Sequence, residues 1–187
     1  MNENRVWHHV DETQRRQWQN PEAVLTEIGL KPGDTFADIG CGAGFFTLPA
    51  ARIVGPKGKI FGLDSQKSSI EEIIKKATAE GLTNLELKTG TAEETLLCRA
   101  CADIVFFGIV LHDFQDPAKV LGNAIQMLKP VGKLINLDWK KIDMKFGPPF
   151  SRRFDENTAS QMIKQAGFRI ESIKDSGQYH YLIVANC

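Results

Sequence analysis

Phe36-Ala37-Asp38-Ile39-Gly40-Cys41-Gly42-Ala43-Gly44 is the stretch on which the fold turns. It reads as the body of a strand, Thr35 to Ile39, that ends in glycines at alternate positions and runs straight into a helix over Phe45 to Ile53. Without a Cβ, glycines there let the backbone approach a ligand closely and take conformations that other residues avoid. In an open parallel sheet, ligands bind beyond the carboxyl ends of the strands, so this loop stands where a nucleotide-like cofactor is expected. A dinucleotide site needs the spacing G-x-G-x-x-G, with a helix N-terminus receiving the pyrophosphate. Here the third glycine arrives one residue early, at Gly44, and Phe45 holds its place. Asp38, two residues before the first glycine, would repel a pyrophosphate and suits a cationic group.

Outward from this loop, short apolar runs alternate with segments of helical period, the order of βαβ units around a parallel sheet, so the class is a doubly wound α/β fold. Before it come a helix over Pro21 to Ile28, closed by Gly29, and the turn Lys31-Pro32-Gly33-Asp34. After it, strands are expected at Lys59 to Leu63, Leu85 to Lys88, Asp103 to Phe107 and Lys133 to Leu137. The helices between them are Ser68 to Glu80, a short turn of helix around Ala92 to Leu96, and one opened by Asp116-Pro117 that carries Val120 to Leu128 and ends before Pro130. A helix from Asp155 to Gln165 precedes a hairpin of Phe168 to Ile173 and Tyr179 to Ala185, making seven strands. Residues 1–20 read as a helical arm that packs by Trp7 and Trp18, and residues 21–187 as a single domain.

Composition narrows the function classes. The chain has 187 residues, 23 basic and 23 acidic side chains, 42% hydrophobic and 25% charged residues, which describes one soluble globular domain with a real core. A zero net charge offers no surplus of Lys and Arg for nucleic acid, so none is expected as a partner. The apolar run from Ile104 to Leu111 falls far short of the roughly 20 residues that span a bilayer, and no secretory stretch opens the chain, so the expected setting is cytoplasmic with no membrane partner. The four cysteines (Cys41, Cys98, Cys101, Cys187) are too few and scattered for a disulfide framework, and a reducing compartment would keep them as thiols. Cys98-Arg99-Ala100-Cys101 has C-x-x-C spacing, but no second pair or nearby His completes a metal site, and no metal is expected.

Asp38-x-Gly40-x-Gly42-x-Gly44 resembles the first motif of the class I S-adenosylmethionine-dependent methyltransferases, and the likeness extends from Pro21 to Trp139. It implies a Rossmann-like seven-stranded sheet of order 3-2-1-4-5-7-6 with the last strand antiparallel and helices on both faces. It also implies S-adenosylmethionine as cofactor, with the loop of Gly40, Cys41, Gly42 and Gly44 under its methionine part and Asp38 toward its ammonium. Asp64, twenty residues after Gly44, matches the acidic residue that takes both ribose hydroxyls, with Ser65 beside it; a carboxylate accepts two such bonds side by side. Gly90-Thr91-Ala92-Glu93 aligns with the adenine loop but has Thr91 in the acidic place, so the contact falls to a hydroxyl, a backbone group or Glu93. Gly108 and Ile109 match the motif whose carbonyl meets the ammonium.

His112 and Asp113 follow at the same edge and are the candidates for acid–base work; equally, His112 packs or caps the turn before the next helix. Methyl transfer needs alignment and exclusion of water more than it needs a base. From Trp139 to Arg153 there are five basic side chains against Asp143, either a lid that attracts an anionic acceptor or an ordinary solvated loop. Asp138-Trp139-Lys140-Lys141 with Gly147-Pro148-Pro149 resembles small methyltransferases of the ubiquinone-biosynthesis and arsenite-methylating type. The four cysteines do not obviously converge as a metalloid acceptor would require, so metalloid methylation is a minor alternative; the acceptor expected is a small molecule, met by a monomer or homodimer. Trp7, His8 and Trp18 are candidates to enclose the cofactor. A cofactor-binding module without catalysis, or a nicotinamide-dependent oxidoreductase, are the alternatives.

Overall fold

The computed structural model describes residues 12–144 and 147–187. Its elements in chain order are α1 (Glu12–Trp18), α2 (Pro21–Glu27), β1 (Thr35–Ile39), α3 (Thr47–Val54), β2 (Lys59–Asp64), α4 (Lys67–Ala79), β3 (Leu85–Thr89), β4 (Ala102–Gly108), α5 (Pro117–Met127), β5 (Leu128–Trp139), α6 (Glu156–Gln165), β6 (Arg169–Ser176) and β7 (His180–Asn186). The strands form one sheet in the order β3-β2-β1-β4-β5-β7-β6. β1 pairs in parallel with β2 on one side and β4 on the other, while β7 runs antiparallel to both β5 and β6. The chain winds outward from β1 in both directions, so the gap between the carboxyl ends of β1 and β4 is the switch point where such sheets take ligands.

The period-2 alternation of the strands divides the apolar residues between two cores. Phe36, Ile104, Phe106, Ile135, Leu137 and Leu182 pack toward α2 and α3, and Ala37, Val105, Phe107, Leu134 and Ile183 pack toward α5 and α6. Central strands buried on both faces are why these segments read as near-continuous apolar runs. The caps follow sequence rules: Asn20, Asp116 and Asp155 each accept a backbone amide three residues on, with Pro at the first position of α2 and α5.

Three expectations are corrected. Residues 92–96 form a turn rather than a helix, because the Ala92 and Glu93 carbonyls accept from Asn123 Nδ2 at 2.9 and 3.1 Å, which draws them to α5 instead of into a local ladder. α5 ends at Met127, and Leu128 already pairs with Ala102 in the sheet; Pro130 disfavours helical geometry in the residue before it. Cys98 and Cys101 are joined as a disulfide rather than standing as thiols, the chain between them being turned by Ala100 at φ 44°. Exposed Ala100 holds a left-handed conformation that costs an L-residue about 1–2 kcal/mol. Ala100→Gly is therefore expected to raise stability by roughly 0.5–1 kcal/mol after the entropic cost of glycine; a lower melting temperature than the parent would contradict this.

Candidate active site

The glycine loop leaves β1 through a backbone that few residues adopt. Gly40 has φ 75°, and its amide and that of Cys41 both donate to Leu63 O of β2, at 2.8 and 3.0 Å. A Cβ on Gly40 would lie 2.5 Å from Val110 Cγ2, because the segment after β4 crosses directly against the loop. Gly44, at φ 91°, turns the chain into α3 with no room for a Cβ beside Ile73 of α4. The Gly42 amide donates to Asp64 Oδ2 and the Gln66 amide to Oδ1, each at 2.8 Å, so the loop and the end of β2 brace one carboxylate.

Two hollows of about 840 and 810 Å3 meet over this loop and share Gly40, Ile109 and Asp113. The first is bordered by Asp38, Cys41, Gly42, Gly108 and His112; the second by Asp64, Ser65, Thr91, Ala92 and Glu93. All the cofactor-binding and acid–base candidates except Gly44 thus border a single cleft at the switch point. Gly44 instead lies under the loop against Leu48 and Ile73. Glu93 Oε1 accepts the amides of Gln115 and Asp116 at 3.0 and 3.4 Å, which turns that oxygen toward the start of α5. Cys41 is buried, and burial together with Asp38 and Asp64 pushes its thiol well above the ordinary range.

Asp38 is only 2% exposed, and its Oδ2 accepts from Thr47 Oγ1 at 2.7 Å. Burial raises its pKa from 3.8 to about 7; the Thr47 bond and Arg15 pull the other way, and Asp64 adds to the rise. Arg15 of α1 borders the same hollow. Its Nε donates to Gln19 Oε1 at 2.8 Å and its guanidinium lies 3.8 Å from the centroid of the Phe45 ring. Desolvation lowers Arg15 to about 10 against the attraction of Asp38 and Glu12.

On the other face of the sheet His112 meets Asp138. His112 follows β4 in a 3-10 turn, Leu111–Asp113, and its Nδ1 lies 2.8 Å from Asp138 Oδ1 at the end of β5. Both side chains are buried, at 3% and 1% exposure. Burial lowers the imidazole pKa, but the Asp138 hydrogen bond and the charges of Asp138 and Asp113 outweigh it and leave His112 above its usual value. With Nδ1–H donating to the carboxylate, Nε2 carries the lone pair. Nε2 lies 3.6 Å from Asp113 Oδ1, which Arg152 Nη2 contacts at 2.6 Å. Ile109 holds φ 64°, a strained value for a β-branched residue and one found where function demands it.

Of the basic loop, Arg152 alone reaches the cleft among the described residues; Lys140 pairs with Asp175 at 2.9 Å, and Arg153 donates to the carbonyls of Pro148 and Ile142, each at 2.7 Å. Trp7, His8 and Lys145 lie outside the described residues. Trp18 borders the cleft and stacks 5.5 Å from His180, with Trp139 at the same centroid distance. Sequence reasoning missed Arg15, Thr47 and the pairing of Asp138. An acidic residue closing the apolar run of β5 was a visible signal for Asp138, whereas nothing local marked Arg15.

The model of a methyltransferase domain matches residues 30–182. The chain is 30% identical over 144 residues to a demethylmenaquinone methyltransferase of Lactobacillus johnsonii, covering 70% of this chain and 59% of that protein. It superimposes on a crystal structure of a SAM-dependent methyltransferase from Aquifex aeolicus with a TM-score of 0.87 and 29% identity, over 95% of this chain and 98% of that one. A phosphoethanolamine N-methyltransferase 2 of Haemonchus contortus, in complex with S-adenosyl-L-methionine, shares the fold at a TM-score of 0.71 and 21% identity, over 84% of this chain and 38% of that one. The chain spans about half the length of the curated relatives it matches. Since the matched segment carries the central sheet from β1 to β5 and the whole glycine loop, the chain belongs to the methyltransferase domain family.

Proposed function

We propose that the chain binds S-adenosylmethionine across the two hollows and promotes transfer of its methyl group to a small organic acceptor. The observation that carries this reading is Asp38: a buried carboxylate bordering a cleft, held near neutrality by desolvation, is a site that a cationic ammonium completes. The same cleft has a braced carboxylate, Asp64, bordering the adjoining hollow, so a ligand with an amino-acid end and a ribose end would meet one carboxylate at each. In this reading Asp64 and Ser65 hold the ribose, Thr91, Ala92 and Glu93 border the adenine, and Gly40, Cys41, Gly42, Gly44, Gly108 and Ile109 shape the backbone cradle. When bound, the cofactor supplies an electrophilic methyl group on a sulfonium.

The protein's own part is to desolvate and align. Ile109, Trp139, Pro148 and Pro149 give the acceptor end an apolar wall, and a closed, apolar site favours displacement by excluding water. His112 is oriented by Asp138 so that Nε2 accepts a proton from an acceptor hydroxyl or thiol, and Asp113 with Arg152 stands over that nitrogen as a polar gate. The relatives named demethylmenaquinone methyltransferases favour a small organic acceptor over a macromolecule. The reading includes a cytoplasmic protein, an N-terminal arm folded onto a single domain, and a monomer or homodimer with no nucleic-acid partner.

Isothermal titration with S-adenosylmethionine and its demethylated product tests the reading, and no heat of binding at high micromolar ligand sinks it. Asp64→Ala is expected to weaken binding by about 1–3 kcal/mol through loss of charge-assisted hydrogen bonds. The near-complete burial of His112 favours one second reading, a cofactor-binding module without transfer. Labelled cofactor incubated with thiol, amine, phenol and metalloid acceptors separates the two.

A further inference from the structure

Arg15 is not accounted for by anything in the family motifs. It sits on α1, outside the matched segment, yet it lines the first hollow together with Asp38. Among the described residues neither side chain has an ion-pair partner: Asp38 receives only the Thr47 hydroxyl, and Arg15 gives Nε to Gln19. The other acids that border the hollow are engaged elsewhere: Glu12 by Arg16 at 3.3 Å and Lys76 at 3.5 Å, Glu72 by Lys76 at 2.8 Å and Asp113 by Arg152 at 2.6 Å. Stacking on Phe45 and the Gln19 bond fix the plane of the guanidinium, and Trp18, one turn on, anchors the helix against Trp139 and His180. His180 is kept neutral by burial and by the charges of Arg15 and Lys140, its pKa falling to about 3, so it offers no negative partner to Arg15.

A pocket built for an amine requires only the carboxylate. One that pairs a buried carboxylate with an unpaired, planar guanidinium is complementary to a zwitterion, an α-amino acid with both charges present. We propose that Arg15 is the carboxylate anchor of this cleft: it receives the α-carboxylate of the cofactor's amino-acid end while Asp38 faces the α-ammonium. The proposal rests on S-adenosylmethionine as the cofactor and adds to it a residue and a selectivity. It also makes α1 part of the binding site, since Arg15 reaches the hollow only when that helix is docked.

Titration calorimetry with three ligands tests this: S-adenosylmethionine, decarboxylated S-adenosylmethionine and 5′-methylthioadenosine, which lacks both charged groups. In the parent protein the decarboxylated cofactor should bind about 10- to 100-fold more weakly than the intact one. Arg15→Met, which keeps an apolar stem on Phe45, should remove about that factor for S-adenosylmethionine while leaving the decarboxylated cofactor and methylthioadenosine within about threefold of parent. Arg15→Lys should restore part of the loss. An equal loss for all three ligands assigns Arg15 a role in docking the helix alone and overturns the proposal, as does no loss for any. Near-equal binding of the intact and decarboxylated cofactors by the parent overturns it without any variant, which covers the case of a variant that misfolds. If the parent binds none of the three, the cofactor reading itself fails.

Discussion

Asp38→Asn is expected to make the ligand-free protein more stable at pH 8 while stripping it of tight cofactor binding. Burial raises the Asp38 pKa from 3.8 to about 7, so the folded state holds a proton that the unfolded chain releases. The contribution of this group to stability is therefore complete below about pH 4 and is lost as pH rises through about 7, by about 4 kcal/mol at pH 8. Asparagine does not ionise, retains an oxygen for the Thr47 hydroxyl, and escapes that loss. The stability gap between variant and parent should be small near pH 4, open between pH 4 and 7, and level off above. Urea denaturation at pH 4.5 and pH 8 reads it directly, and an equal difference at both values would contradict the account. The same linkage runs through the ligand. An ammonium recruits the ionised carboxylate, so the affinity of the parent should climb by up to about tenfold per pH unit below pH 7. The variant should lose both that slope and about 10- to 100-fold of affinity at pH 8.

Asp138→Ala is expected to cost about 3 kcal/mol, because removing one partner of a buried, hydrogen-bonded pair strands the other. His112 would keep a buried Nδ1–H with its acceptor gone, and the Trp139 amide would lose the bond it makes to the same oxygen at 2.8 Å. The direction with pH follows from the raised His112 pKa: its contribution is full below the ordinary imidazole value and fades as pH rises through the folded one. The penalty should accordingly be larger at pH 6 than at pH 9. Asp138→Asn, which keeps the volume and one acceptor, should lose less and show a flatter pH profile. Denaturation midpoints of the three proteins at the two pH values are the measurement, and a penalty indifferent to pH would rule out a charged pair. If His112 takes the acceptor's proton, Asp138→Asn should also lower kcat more than it changes the cofactor's Kd.

The two carboxylates stand on opposite faces of one sheet. Asp38 shares its face with Phe36 and looks toward α3, and Asp138 shares its face with Leu134 and lies under the turn that carries His112. Period-2 alternation places them there, and the parallel register of β1, β4 and β5 brings their carboxyl ends to one edge. In the proposed function the sheet thereby separates the carboxylate that would face a cation from the one that would orient a base, with Gly108 and Ile109 between them.

Much of this was legible along the chain. Helices α2, α4 and α6 have local signals at their ends, and the strands from β1 to β7 are short apolar runs bounded by turn residues; backbone preference and burial on both faces act over a few residues, so the pattern survives in one dimension. The glycine loop could be placed for the same reason, and Asp64 and the segment after β4 through their resemblance to the family's motifs. The short segment at 92–96 read as helix because its composition allowed one, and only the competing bond from Asn123, some thirty residues away, decided against it. The basic loop read as a uniform charge run, yet tertiary contacts commit Lys140 to Asp175 and Arg153 to backbone carbonyls, leaving Arg152 at the cleft.

By itself, then, the sequence determined the α/β class and the line of glycines and acids at the switch point, because these rest on local periodicity and on residues whose backbone freedom or charge is intrinsic; the strand order came only through the family resemblance of the glycine motif. The tertiary structure alone decided that α1 brings Arg15 to the hollow that Asp38 borders and that Asp138 holds His112 beside the Asp113–Arg152 pair. Those pairings join segments far apart in the chain, and their energetics arise from desolvation, which exists only once the core has closed around them.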